Sequence, residues 1–241
     1  MSTISTERTI AELVLERPAR SRTFESLGID YCCGGKKTLE AVCVKKKLDP
    51  QDVVALLVAG DAAAADTPGL DYTALSLTDL IADIVAQHHD YLREELPRLE
   101  AMLTKVTRVH GDSEPRLAPM LAAFLGFAQE LGTHMMKEER ILFPAIARME
   151  ATGSAAGNCF GSVAQPIAQM EAEHDDAGDA LALLRELSDD FTPPEWACNT
   201  YRAMLDGLHE LEQNMHLHVH KENNVLFPKA IHLEAALHQP S

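Results

Sequence analysis

One stretch of eleven residues, used twice, constrains this chain more than any other feature. His134-Met-Met-Lys-Glu138-Glu-Arg-Ile-Leu-Phe143-Pro144 returns as His218-Val-His-Lys-Glu222-Asn-Asn-Val-Leu-Phe227-Pro228. Both copies read His, three residues, Glu, three residues, Leu-Phe-Pro. In a helix, positions i and i+4 lie one above the other, so each copy sets an imidazole and a carboxylate side by side on one face. The apolar spacing says where that face points. Phe124, Phe127, Leu131, His134, Glu138, Ile141 and Ala145 step by threes and fours, as do Leu208, Leu211, Met215, His218, Glu222 and Val225. A carboxylate inside such a stripe survives ionised only when it is paired or binds a metal. Two such pairs in one chain point to one shared metal site.

The repeat extends beyond these stretches. His89-Asp90 stands 45 residues before His134, and His174-Asp175 stands 44 before His218. Each half therefore reads as one helix with His-Asp, a turn, and one helix with His-x-x-x-Glu. Two helical hairpins with matching inward ligands predict an all-α, up-down four-helix bundle. His88 competes with His89 for the first ligand position, because Ile84, His88 and Leu92 also share a face. The repeat spacing favours His89.

Composition bounds the alternatives. With 241 residues and 46% hydrophobic content the chain can bury a substantial core. A net charge of −16 argues against nucleic acid and against an anionic membrane surface as partners. The first fifteen residues lack the apolar run of a signal peptide, and no later run approaches a membrane span. Five cysteines with no export signal fit a reducing cytoplasm.

Residues 1–60 read as a small helical domain. Short helices are expected over Thr9–Glu16, Pro18–Leu27, Thr38–Lys46 and from Asp49-Pro50 to Leu57, with Gly28-Ile-Asp-Tyr-Cys-Cys-Gly-Gly35 breaking the pattern. Residues 61–75 read as a linker, although its alanines can extend the preceding helix by a turn. The bundle occupies 76–241. Its helices are expected over Ser76–Val106, Arg116–Met149, Val163–Leu187 and from Pro193-Pro194 to Leu237. Pro97 should bend the first of these, and Pro144 and Pro228 should kink the second and fourth near their ends.

The candidate metal ligands are His89, His134, Glu138, His174, His218 and Glu222. An imidazole and carboxylate set without thiolate suits iron or manganese better than structural zinc. Six ligands suit two ions, with the carboxylates bridging and two imidazoles completing each. About two positions per ion then remain for a bridging oxygen and an exchangeable ligand such as a diatomic gas. Glu130, one turn before His134, and Glu173, beside His174, are candidates to take the second imidazole N–H or to relay protons. Asp90 and Asp175 point about 100° away and are expected to face solvent. His110, His209, His216, His220, His232 and His238 read as surface histidines.

Cys32 and Cys33 form a thiol pair in a glycine-rich loop. Adjacent cysteines rarely bridge each other. Gly34 and Gly35 are expected to expose the thiols, and Lys36 and Lys37 to favour thiolate, which suits iron hand-off or redox exchange. Cys43 is expected to be buried, and Cys159 and Cys198 to be structural.

Tyr31-Cys-Cys-Gly-Gly35, His134-Met-Met-Lys-Glu138, Glu173-His-Asp175 and Glu222-Asn-Asn-Val-Leu-Phe-Pro228 together resemble the repair-of-iron-centres family, over nearly the whole chain. The resemblance implies a hemerythrin-like bundle behind a short Cys-Cys-Gly-Gly domain. It also implies a non-haem di-iron centre, oxo- or hydroxo-bridged, on the six residues above. The implied function is repair of iron–sulfur clusters damaged by nitrosative or oxidative stress, by supplying iron or by binding and reducing nitric oxide. Damaged or apo iron–sulfur proteins would be the partners, and nitric oxide or O2 the small ligand. A homodimer stays open as its assembly. The alternative is an O2- or nitric-oxide-binding or iron-sensing module without catalysis. Oxygen carriers of the hemerythrin type use five histidines, against four here, and lack the thiol domain.

Overall fold

The computed structural model describes residues 4–63, 71–155 and 160–238. Residues 64–70 of the expected linker, and Cys159, lie outside the described residues. Among the described residues there are helices and one isolated bridge, between Thr9 and Thr38, but no strand.

Four short helices make the N-terminal unit: α1 (Ile10–Glu16), α2 (Arg20–Ser26), α3 (Leu39–Lys46) and α4 (Pro50–Ala63). Thr9 starts α1 through a reciprocal cap, its hydroxyl accepting from Glu12 N while the Glu12 carboxylate accepts from Thr9 N. Thr38 caps α3 one way only, its hydroxyl accepting from Ala41 N. Leu13, Phe24, Tyr31, Leu39 and Leu57 close a small core. Arg20 is buried beneath it, held by Asp61, Glu16 and the Leu13 carbonyl. The alanines after Gly60 do extend α4, as far as Ala63.

The bundle helices are α5 (Leu77–Ile84), α6 (Asp90–His110), α7 (Leu117–Lys137), α8 (Phe143–Thr152), α9 (Ala164–Leu187), α10 (Asn199–Lys221) and α11 (Phe227–Leu237). Three of the four rods are composite. One π turn, Val85–His89, joins α5 to α6; Glu138–Leu142 joins α7 to α8; Glu222–Leu226 joins α10 to α11. Only α9 is uninterrupted. Neighbouring rods pack α6 against α7, α7 against α9, and α6 against α10. At Gly207 α10 approaches α6 closely: a Cβ there would stand 2.7 Å from Leu99 Cδ2.

Several expectations change. Helix α10 opens at Asn199 rather than at Pro193-Pro194. The proline pair disfavours a helical residue before it, and a turn closes from Ala197 N to the Pro194 carbonyl before the extended cap at Cys198. Pro97 does not break α6, which runs through it with Leu96, Leu99 and Leu103 buried. Pro144 and Pro228 start helices rather than kink their ends. Each stands in the first turn after a π turn, where a missing N–H costs nothing. Ile141 is 47% exposed, because the extra residue of the π turn rotates Leu142 and Phe143 inward instead.

The bundle core is split. One apolar cluster runs from Leu92, Met135 and Val219 towards the α6–α7 turn, and a second runs from Ile84, Leu142, Met170 and Val225 towards the other end. The six candidate ligands lie in the layer between them, all buried.

Candidate metal centre

The π turns place the candidate ligands. His89 ends the first, Glu138 begins the second and Glu222 begins the third. In each, a backbone N–H reaches five residues back: Asp90 to Val85, Phe143 to Glu138, and Phe227 to Glu222. One extra residue per turn re-aims a side chain without breaking the rod, and such bulges recur at functional sites. The first π turn also turns both His88 and His89 inward, which removes the choice an α-helix imposes between them.

Four Nε2 atoms converge. His89 and His218 approach to 3.1 Å, and His134 and His174 to 3.0 Å. Glu138 reaches Oε2 to His89 at 3.4 Å and Oε1 to His134 at 3.3 Å. Glu222 reaches Oε1 to His218 and Oε2 to His174, both at 3.1 Å. Each carboxylate therefore gives one oxygen to each imidazole pair. Two groups of four donors result, His89, Glu138, His218, Glu222 and His134, Glu138, His174, Glu222, each within 4.8 Å and wholly buried. His88 belongs to neither.

Both oxygens of Glu138 and Oε2 of Glu222 lack a hydrogen-bond partner among the described residues. Buried oxygens left this way are costly, and a cation between the converging donors would satisfy them. Burial drives the Glu138 carboxyl pKa up, and Glu222 adds to this. Attraction to the His134 and His89 imidazoles outweighs both, and the carboxyl is held below its ordinary value. Burial likewise opposes ionisation of Glu222, but His218 and His174 hold it well below the carboxylate range. Burial lowers His134, yet Glu138 raises it to about 9.

Three of the four other ring nitrogens are held from behind. His89 Nδ1 meets Glu139 at 2.6 Å, and Arg93 braces that carboxylate. His134 Nδ1 meets Glu173 at 2.8 Å, and Lys137 and Gln169 brace it. His174 Nδ1 meets Asn223 Oδ1 at 2.8 Å. Burial raises the Glu173 carboxyl, but Lys137, Gln169 and His134 bring it down to about 2. Phe143 stacks on His89 and Phe227 on His174, which gives the Leu-Phe-Pro ends of the repeat a packing role. A cavity of about 350 Å³ between α7 and α9, lined by Phe127, Leu131, Lys137 and Glu173, ends on His134 and His174.

Of the two carboxylates expected behind the ligands, only Glu173 touches one. Glu130 is exposed at the mouth of the cavity. Sequence reasoning missed Glu139 and Asn223. Each directly follows a candidate glutamate ligand, and in a π turn adjacent positions can both face inward. Asp90 and Asp175 face solvent.

The thiol loop differs from expectation. Cys32 is 7% exposed and packs on the bundle core, and Cys33 is half-buried beside it. The Cys32 thiol donates to Asp30 Oδ1 at 3.1 Å. Its pKa is pushed well above the ordinary thiol value, first by the hydrogen bond with Cys33 and then by burial. Lys36 does not act on it, being paired with Glu171 across the domain boundary at 2.9 Å. His220 is buried rather than on the surface. It meets the Tyr31 carbonyl at 3.2 Å, while Asn224 Nδ2 donates to the Cys32 carbonyl at 3.0 Å. Cys43 is buried, and Cys198 is exposed, 3.5 Å from His110 Nε2.

Fold and site together define the class, that of helical bundles which bind cations among imidazoles and carboxylates. Residues 80–230 match the hemerythrin HHE cation binding domain, and residues 6–60 match ScdA_N, described as a domain of unknown function. The chain is 42% identical over 229 residues to an iron-sulfur cluster repair protein YtfE of Enterobacter sp. (strain 638), covering 93% of this chain and 97% of the relative. Proteins of the same name from Pectobacterium atrosepticum and Citrobacter koseri are 39% and 40% identical, with the same coverage. The chain belongs to the hemerythrin HHE family and, within it, to the iron–sulfur cluster repair proteins of the YtfE type.

Proposed function

We propose that this protein repairs iron–sulfur clusters damaged by nitrosative or oxidative stress, through a di-iron centre on His89, His134, Glu138, His174, His218 and Glu222. One observation carries the reading: each buried carboxylate gives one oxygen to each of two imidazole pairs. That donor set, without thiolate, suits iron in both groups. Bound iron would supply redox chemistry and open positions for a small ligand such as nitric oxide. The residues do the rest. Glu139, Glu173 and Asn223 orient three imidazoles. The apolar clusters on either side exclude bulk water, and the cavity between α7 and α9 supplies an entrance for a diatomic ligand.

Repair implies damaged or apo iron–sulfur proteins as clients. Iron donation to them through Cys32 and Cys33 requires the loop to leave Asn224 and His220, since Cys32 is buried where it docks. Nitric oxide removal needs no such movement, and the cavity favours it as the readier activity. Among the described residues no helix is long and apolar enough to cross a membrane. Free thiols at Cys32, Cys33, Cys43 and Cys198 favour a reducing cytoplasm.

The test is metal analysis of the purified protein followed by nitric oxide consumption by its reduced form. Two irons per chain are expected, with Glu138→Gln and Glu222→Gln each losing at least one. Full iron retention in both variants would overturn the assignment. Nitric oxide held without product would favour the binding-module reading.

A further inference from the structure

Three of the four candidate ligand histidines have their Nδ1 held by Glu139, Glu173 or Asn223. The fourth, His218, has a buried Nδ1 without a partner among the described residues. His218 Nε2 faces Glu222 and His89, so a cation at the site takes that nitrogen and the proton must sit on Nδ1. A ligating histidine almost always donates that proton to something, and the acceptor sets ring orientation and ligand basicity.

A second orphan lies beside it. His88 stacks on His218, ring centres 5.3 Å apart and planes within 8°. Its Nδ1 is 3.0 Å from Asn214 Oδ1, while its Nε2 is buried and without a partner among the described residues. The Asn214 amide is oriented by its Nδ2 donating to the Gln87 carbonyl at 3.4 Å, so its oxygen faces His88. An amide oxygen only accepts, which puts the His88 proton on Nδ1 and leaves Nε2 as a lone pair. The site thus pairs a donor lacking an acceptor with an acceptor lacking a donor on two stacked rings. An N–H lies in its ring plane, so two parallel rings cannot bond each other directly. A single water between the two nitrogens would give each the partner it lacks.

Resting on the metal-site reading above, we propose that His88, set by Asn214, is the positioning residue of His218: a buried water carries the hydrogen bond from His218 Nδ1–H to His88 Nε2. The pair of adjacent histidines at 88 and 89 then has a division of labour, with His89 a ligand and His88 the support for the ligand opposite.

The test uses the full chain loaded with Zn²⁺ as a diamagnetic probe. Zinc release to a chelator is timed, and ring nitrogens are read by histidine-selective ¹⁵N NMR. His88→Phe keeps the stacked ring but removes the acceptor, and should release zinc ~10-fold faster, the low end for loss of such a support. His88→Gln offers an amide oxygen at similar reach, and should return release to within about two-fold of the parent. In the parent, His88 Nε2 should resonate as an unprotonated acceptor, and His218 Nδ1–H should exchange slowly with solvent. That proton should exchange faster in His88→Phe and slowly again in His88→Gln. Equal release and exchange in the parent and His88→Phe would overturn the proposal. So would a His88→Gln variant no better than His88→Phe, which would make the ring a packing element only. A parent chain that binds no zinc or iron would be seen before any variant is compared, and would overturn the metal-site reading together with this one.

Discussion

Cys32 shows how far surroundings can move a side chain from its expected chemistry. Beside two lysines and two glycines it reads as an exposed thiolate, yet it is a buried thiol bonded to Asp30 and raised in pKa. It should therefore alkylate far more slowly at pH 8 than the exposed Cys198, which peptide mapping after iodoacetamide will show. Because the folded value lies above the unfolded one near 9.0, its contribution to stability is complete below that pH. The contribution is lost as pH rises towards the folded value, since the unfolded chain sheds the proton first. Urea midpoints between pH 8 and 10.5 should fall more steeply for the parent than for Cys32→Ser. Glu139 and Glu130 make a second contrast. Glu139→Gln weakens the carboxylate behind His89 and should cost ~10–100-fold in metal affinity. Glu130→Gln, at an exposed position, should leave affinity unchanged in the same chelator titration. The six inward donors could be read from periodicity and repetition. The groups behind them could not, because which neighbour of a ligand turns inward depends on the local helix type.

The π turns are where an α-helical reading loses phase. Deleting Ile141 removes the one residue that the π turn adds, so it should restore α geometry between α7 and α8 with Phe143, Ile146 and Met149 still facing the core. Thermal unfolding should therefore stay cooperative, while Glu138 and Glu139 lose the aim the π turn gives them and metal affinity falls in a chelator titration. Thr9 bears on a smaller element. Thr9→Ala removes half of the α1 cap and should cost ~1 kcal/mol in urea denaturation, without changing metal content. The helix starts at Thr9, Thr38 and Ser76 were legible, since a capping residue acts on its own next turn. The start of α10 was not, because the segment before it is held by longer-range bonds from Arg202 to the Pro194 and Ala197 carbonyls.

The bundle and the N-terminal unit are joined where the thiol loop meets α10 and the π turn after it. Asn224→Ala removes the donor to the Cys32 carbonyl and should speed Cys32 alkylation several-fold while iron content stays at the parent level. Unchanged alkylation would mean that the loop is held by other contacts. Gly207→Ala tests the α6–α10 approach: the added methyl meets Leu99 at 2.7 Å and should destabilise the bundle by ~1–3 kcal/mol. Metal binding adds to the same stability. With free metal 100-fold above Kd, one site contributes ~2.7 kcal/mol. At 2–4 °C per kcal/mol for a chain of this size, a chelator should lower Tm by roughly 5–10 °C.

Helical class, the four-rod bundle and the identity of the inward donors follow from local periodicity and an internal repeat, because side-chain direction on a helix repeats every 3.6 residues whatever lies opposite. Contacts between rods decided the remainder. With the π turns that those contacts accommodate, both His88 and His89 face inward and Glu139 and Asn223 rather than Glu130 stand behind the imidazoles, while contacts across the domain boundary bury Cys32 and His220. Such pairings join residues up to 192 positions apart, as Asn224 and Cys32 are, and spacing along one helix carries no information about them.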